Sequence, residues 1–420
     1  MKSRVRFTFV RDRLNRTAIA SLIAALEDHV EDVTDSIRVA TAEEALRLDF
    51  DRSDETAEVL CTSSMTVGFP EVARLVGSLK AKWGSRTLIT ISGGAHSSGD
   101  PAGALRAGLD YCCVGEGEDV LREVALCLAA GRGVDGIAGI HRLEGGKLEG
   151  RPREHPVDLS SFPALPRRMG FPTYIEIGRG CRWGCGYCQT PRIHGCQERF
   201  RSVADVESTV SVYAGFGMKD FRFLLPNALG YASREPRKPN CEAIGDLLER
   251  SASAAGDGRL FLGSFPSEVR PDYVTEDAVR ILKRYVANDK LVIGGQSGSE
   301  RMLEAIGRGH GVEDIRRSCD IVSSCGFVPS VDMVLGFPGE TSEDRQATFA
   351  LIEELGSQRA TFYVHFFMPI RGTPLGRSAP VFLTDRERRD LDRLAQEGIV
   401  RGRWRRQEEI AGKWQRQGAD

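Results

Sequence analysis

Tyr174-Ile175-Glu176-Ile177-Gly178-Arg179-Gly180-Cys181-Arg182-Trp183-Gly184-Cys185-Gly186-Tyr187-Cys188-Gln189 is the stretch on which the reading of this chain turns. It opens as a short strand, and Gly178 and Gly180 let the next residues fold into a tight loop. Cys181, Cys185 and Cys188 then stand at C-x3-C-x2-C spacing. Three thiolates within eight residues can take three corners of a cubane [4Fe-4S] cluster, which is usually held by four cysteines. One iron is left open to a small chelating molecule. Two other readings use the same region. Zinc sites usually pair two C-x2-C units or add histidines; here there is one C-x2-C, and the nearest histidine, His194, has no partner at ligand spacing. Cys196 could instead close the cluster as a four-cysteine electron carrier.

The rest of the composition narrows the class. The chain has 420 residues, with 57 Lys and Arg against 59 Asp and Glu, a net charge of −2. That length holds two or three domains, and the balance gives no global argument for nucleic acid or an anionic membrane. The first ten residues carry no apolar leader and no run is long enough to span a bilayer, so a cytoplasmic protein without a membrane partner is expected. Eleven cysteines, an odd number at irregular spacing, do not form a disulfide framework. Cys61, Cys112, Cys113 and Cys127 sit in apolar runs and read as small hydrophobes.

Residues 1–144 alternate strand and helix as a doubly wound α/β domain does. Strands are expected at 4–10, 58–61, 87–92 and 111–114, and helices at 18–28, 70–82, 101–107 and 118–129. Ligands on such folds lie beyond the carboxyl ends of the strands. Those ends carry Ser63, Ser64 and Thr66, then Gly93, Gly94 and Ala95, then Gly115, Glu116 and Gly117. Residues 145–172, rich in Gly, Arg and Pro, read as an extended linker. A second series occupies 173–380, with strands at 174–177, 221–225, 260–263, 291–294, 328–334 and 360–367 and helical patterns between them. Residues 381–420 form a helical tail that opens on a capping box, Thr384 with Glu387. Its basic run, Arg401, Arg403, Arg405 and Arg406 around Trp404, reads as a solvated helix face, and nucleic acid is not an expected partner.

The cysteine triad, with Tyr187 before its third member, resembles the radical SAM signature. Gly294-Gly295-Gln296-Ser297-Gly298 and Asp332-Met333-Val334-Leu335-Gly336-Phe337-Pro338-Gly339-Glu340-Thr341 resemble the SAM-contacting segments of the same family. Ser299 after the first of these suits a helix N-cap. The resemblance implies a partial (β/α)6 barrel that holds the cluster on Cys181, Cys185 and Cys188. It also implies S-adenosylmethionine met by Tyr187, Asn227, Ser264, Glu268, Gln296, Ser297, Asp332 and Gly336. Glu268 and Arg270 could alternatively form a surface pair. The family's Gly-Gly-Glu is absent, and Pro226-Asn227-Ala228 stands in its place. The N-terminal series resembles the cobalamin (B12)-binding domain that precedes the core in one branch of the family, with the glycine-rich strand ends along the corrin and its tail. That domain's D-x-H-x-x-G segment is departed from: Leu14 stands at the His position and Thr17 at the Gly position. No histidine on cobalt is therefore expected.

Together these imply an enzyme that generates a 5′-deoxyadenosyl radical and, with cobalamin, methylates an unactivated carbon of an unknown substrate. A flavodoxin- or ferredoxin-type electron donor is implied as partner. Two alternatives stay open: a radical modification without methyl transfer on a degenerate B12 domain, and a non-enzymatic redox or sensing protein. No catalytic side chain is identifiable from the sequence.

Overall fold

The computed structural model describes residues 4–29, 34–50, 56–84 and 88–417. The chain forms two compact units, Met1–Thr173 with Arg192–Gly195, and Tyr174–Pro191 with Cys196–Asp420.

The first unit runs β1 (Arg4–Val10), α1 (Arg16–His29), β2 (Thr34–Ala40), α2 (Ala42–Arg47), β3 (Thr56–Ser63) and α3 (Phe69–Trp83). It continues with β4 (Leu88–Gly93), α4 (Gly94–Gly99), α5 (Pro101–Arg106), β5 (Tyr111–Cys113) and α6 (Glu118–Ala129), and ends on a hairpin, β6 (Ile140–Glu144) and β7 (Lys147–Gly150). The sheet order is β2-β1-β3-β4-β5-β6-β7. The first five strands are parallel and the hairpin is antiparallel. Both faces are buried, as parallel strands require: Phe7, Phe9, Ile23 and Val124 pack on one side, and Leu60, Val76, Leu79 and Leu88 on the other. The order 2-1-3-4-5 reverses between β1 and β3, and ligands on such sheets bind outside the strand ends at that reversal.

Five elements here were not expected from sequence: β2, α2, α4 and the two strands of the hairpin. β2 and α2 fill the span between α1 and β3, and the hairpin extends the far edge into residues read as linker. The linker stretch does not run free: Val157, Leu159 and Phe162 form a buried cluster with Ala24 and Ala25 of α1.

The second unit begins with β8 (Ile175–Glu176) and β9 (Gly178–Arg179), then the cysteine loop and β10 (Arg199–Phe200); the short helix α7 (Thr190–His194) between these two runs into the Arg192–Gly195 stretch of the first unit. Strand and helix then alternate through α8 (Val203–Gly215), β11 (Asp220–Leu224), α9 (Cys241–Ala255), β12 (Arg259–Phe261), α10 (Glu276–Tyr285) and β13 (Lys290–Gln296). Next come α11 (Glu300–Ala305), α12 (Val312–Ser324), β14 (Val328–Leu335), α13 (Ser342–Ser357) and β15 (Thr361–Phe366). Strands β12-β11-β8 form one parallel run and β13-β14-β15 another, with a single parallel bridge, Val269 to Ile293, between them. This is the expected six-stranded partial barrel.

The tail adds α14 (Asp385–Gln396), β16 (Val400–Gly402) and α15 (Trp404–Gln417). Thr384 and Glu387 close their capping box, and Leu391, Leu394 and Trp404 are buried. Beyond the expected helices, β16 pairs in parallel with β15 as a seventh strand.

Candidate cofactor sites

The cysteine loop is closed at its neck by β9 and β10, which pair antiparallel. Gly180 turns the chain there at φ 85°, and a Cβ on it would lie 2.2 Å from the Gln197 carbonyl oxygen, so only glycine fits. Inside the loop, the Gly186 N–H donates to the Ile306 carbonyl at 2.9 Å and the Gly186 carbonyl accepts from the Leu375 N–H at 2.9 Å. The Trp183 ring is covered by the Arg270 guanidinium at 3.8 Å, a contact worth about 1–2 kcal/mol when desolvated. Burial pushes the Cys181 thiol up to about 11 and raises that of Cys188. Among the described residues no three His, Cys, Asp or Glu side chains converge at the distances of a single-ion site. Cys196 is exposed.

The strand ends beside this loop gather charge. Arg308, 4% exposed, donates to Cys185 Sγ at 3.6 Å, Tyr187 Oη at 3.4 Å and the Gly294 carbonyl at 2.6 Å. Its Nε donates to His310 Nε2 at 3.1 Å, and burial and the neighbouring guanidinium drop His310 to about 3, which keeps it a neutral acceptor. A Cβ on Gly294 would sit 2.8 Å from Glu268 Oε1 and 2.9 Å from Arg308 Nη2, so this glycine leaves room for both. Burial raises the Glu268 carboxyl. Asp332, paired with Gly294 in register, is pushed up to about 8 by burial and then by the charge of Glu268.

Gln296 ends β13 at a register shift and holds φ 73°, a left-handed conformation that strains a non-glycine residue and concentrates at functional sites. Its side chain makes no hydrogen bond among the described residues. The Ser264 hydroxyl and the Trp183 indole N–H are also buried without partners. Such orphans fit a polar ligand bound among them.

Several of the residues expected to contact S-adenosylmethionine also hold the fold. Ser297 is fully buried, and its hydroxyl accepts from the Ser299 N–H and lies 3.4 Å from Thr348 Oγ1. Ser299 caps α11 as expected. Asn227 Oδ1 accepts from the Arg270 N–H at 3.1 Å. Gly336 donates its N–H to Glu340 Oε2 at 2.7 Å. Glu268 and Arg270 are no surface pair: Arg270 is buried and its carboxylate partner is Asp272, at 3.0 Å.

Sequence reasoning missed Arg308. Its only linear signal is the Gly307-Arg308-Gly309 triplet, and two of its partners, Cys185 and Tyr187, lie more than a hundred residues upstream.

In the first unit, the carboxyl ends at the β1/β3 reversal carry Leu14, 68% exposed, with Met65 and Val67 nearly half exposed. Asp12 Oδ1 accepts the N–H groups of Leu14 and Asn15, which turns Leu14 outward where an imidazole would otherwise stand. Behind these, the Thr62 and Ser64 hydroxyls are buried without partners, donors suited to a polar tail. Gly94 has φ 80° and a Cβ there would meet Ser63 Oγ at 2.5 Å. Its substitution therefore disturbs β3 before any ligand. Gly93 and Ala95 flank it at the start of α4. Thr66 Oγ1 lies 3.4 Å from His96 Nδ1, and Gly115 donates its N–H to Ser98 Oγ. Glu116, before Gly117, is held on both oxygens, by the Val157 N–H at 2.7 Å and by His194 Nδ1 at 2.9 Å. It is an anchor of the loop.

Residues 175–352 match the radical SAM superfamily and residues 11–125 the B12 binding domain. The chain is 31% identical over 246 residues to a tRNA-2-methylthio-N(6)-dimethylallyladenosine synthase of Chlorobium phaeobacteroides (strain BS1), covering 56% of this chain and 52% of that protein. It is 30% identical over 222 residues to the same-named protein of Halorhodospira halophila, covering 52% and 45%. The chain thus spans about half the length of the curated relatives it matches. The radical S-adenosylmethionine methyltransferase TsrM from Kitasatospora setae, solved with cobalamin and a [4Fe-4S] cluster bound, superposes at TM-score 0.67, with 17% identity over 89% of this chain and 74% of that one. The cobalamin-dependent S-adenosylmethionine radical enzyme OxsB, with aqua-cobalamin bound, gives 0.67 at 15% identity over 95% and 58%. These two share the fold. No helix among the described residues is long and apolar enough to cross a membrane. With both family matches in the order the two units show, this chain belongs to the radical SAM superfamily and carries a B12 binding domain ahead of its radical SAM domain.

Proposed function

We propose that the chain is a cobalamin-dependent radical SAM enzyme that methylates an unactivated carbon. The observation that carries the first half is the charge arrangement beside Cys185. S-adenosylmethionine is a zwitterion with a further positive sulfur, so its site needs a buried cation for the carboxylate and acids for the ammonium and sulfonium. Arg308 supplies the first; Glu268 and Asp332, whose carboxyls burial raises, would ionise against the second. Gln296, strained and unpartnered, offers its amide to the same ligand. When bound, the cluster supplies the electron that cleaves the ligand's carbon–sulfur bond, and cobalamin supplies the methyl group. Cys181, Cys185 and Cys188 would hold the cluster, and Arg308, Glu268, Asp332 and Gln296 would orient the ligand's head group beside it.

The second half rests on the first unit. Its unpartnered Thr62 and Ser64 hydroxyls and outward Leu14, Met65 and Val67 lie at the sheet's reversal point, where a flat ligand with a polar tail fits. A B12 unit ahead of the core favours methyl transfer over a radical modification without cobalamin.

Anaerobic reconstitution tests both halves. Reduced protein is expected to convert S-adenosylmethionine to 5′-deoxyadenosine and methionine. Cys196→Ala should keep the cluster and Cys185→Ala lose it. Bound cob(II)alamin should show no histidine nitrogen coupling in its EPR spectrum. Absence of deoxyadenosine with a full cluster would sink the radical assignment, and failure to take up cobalamin would sink the methyl transfer.

A further inference from the structure

β15 carries a polar pair that none of the sites above uses. Burial alternates strictly along it: Phe362, Val364 and Phe366 are buried, whereas Thr361, Tyr363 and His365 keep solvent access. The register settles which face the second set shares. Tyr363 stands beside Asp332, and His365 beside Val334; paired residues of parallel strands project to one side. Val334 packs against the cluster of Met302, Ile306 and Phe337 that also receives Tyr187 from the cysteine loop. Tyr363 and His365 therefore face the barrel interior, on the side of Asp332 and the cysteine loop. Their rings lie 4.8 Å apart.

The tautomer of His365 follows from its neighbour. Gln407 of α15 accepts the Phe366 N–H on its Oε1 at 3.0 Å. That fixes the amide, because the flipped form would set an NH2 against an N–H. The Gln407 Nε2 then lies 3.3 Å from His365 Nδ1 and can only donate to it. Nδ1 is the acceptor, so the ring proton sits on Nε2. Neither His365 Nε2 nor the Tyr363 hydroxyl has a hydrogen-bond partner among the described residues. Two adjacent donors thus look into the interior unsatisfied.

We infer that Tyr363 and His365 form a substrate-binding pair, two hydrogen-bond donors for one oxygen acceptor of the substrate, a carboxylate or carbonyl group. Gln407 is the positioning residue that holds the donor tautomer. The inference rests on the proposed radical SAM reading of the second unit, and its test does not pass through catalysis. Seven histidines make nitrogen NMR of histidine-labelled, full-length protein with its cluster oxidised tractable. His365 should report the Nε2–H tautomer, and Gln407→Leu should mix the tautomers while iron content holds. Acetate, titrated as the probe acceptor into protein saturated with S-adenosylmethionine, should shift that Nε2–H saturably. Tyr363→Phe should weaken acetate about fivefold, as one lost hydrogen bond does. An Nδ1–H tautomer, or no response to acetate, overturns the pair. A shift produced by S-adenosylmethionine alone also overturns it, by assigning the pair to that ligand. Missing deoxyadenosine would leave these signals intact and would fault only the radical reading.

Discussion

Gln296 shows how much of the site is visible in one residue. A left-handed glutamine costs about 1 kcal/mol or more, and the strain is kept at the end of β13 beside Arg308's carbonyl partner, Gly294. Gln296→Gly is expected to leave the thermal midpoint unchanged or raised and to weaken S-adenosylmethionine binding about tenfold; calorimetry and equilibrium binding read the two separately. Asp332 makes a pH statement. Its carboxyl is held at about 8 in the folded chain, well above the unfolded value of about 3.9. Between those values the folded state binds the extra proton, so stability falls as pH rises through the window. Asp332→Asn should therefore gain about 1–3 kcal/mol over the native chain at pH 8 and nothing below about pH 4, measured as denaturant midpoints. The sequence singled out Gln296 and Asp332 as candidates because each stands in a contiguous motif. Arg308, Tyr363 and His365 stand in none, since their meaning comes from partners brought in by other strands and by α15.

Among the elements, the ones missed have identifiable causes. β2, Thr34-Asp35-Ser36-Ile37-Arg38-Val39-Ala40, lacks a run of apolar residues because one face carries Arg38 to a buried acid. Glu58 on β3 accepts from Arg6 on β1 and Arg38 on β2, each at 2.7 Å, and so joins three strands. Removing the shared acid takes a buried carboxylate from two half-buried guanidiniums at once. Glu58→Ala should cost about 2–4 kcal/mol, and Arg6→Ala less, because Arg38 still neutralises the acid. Urea unfolding followed on the first unit would measure the difference. The β6–β7 hairpin had a readable signal in Glu144-Gly145-Gly146-Lys147, a two-residue glycine turn, hidden by the Pro- and Arg-rich stretch after it. The cysteine loop, by contrast, was legible down to Gly180, because its constraint is local.

At the scale of the whole molecule, the order of the two units followed from alternation and strand-end glycines, while the tail's part did not. Three residues of β16 are too few to show periodicity, yet they extend the barrel sheet and set Gln407 against His365. The most far-reaching feature is the excursion of Arg192–Gly195. These four residues group with the first unit, where His194 meets Glu116 at 2.9 Å, although the chain on either side of them belongs to the second. The two units are consequently not beads on a string that recombination can swap as cassettes. A gene fusion that cut once near residue 173 would hand a foreign partner a loop whose four-residue stitch has lost its cloth, and would take His194 away from Glu116. Descent of such a chain should conserve both halves as an heirloom set, with Glu116 and His194 changing together or not at all.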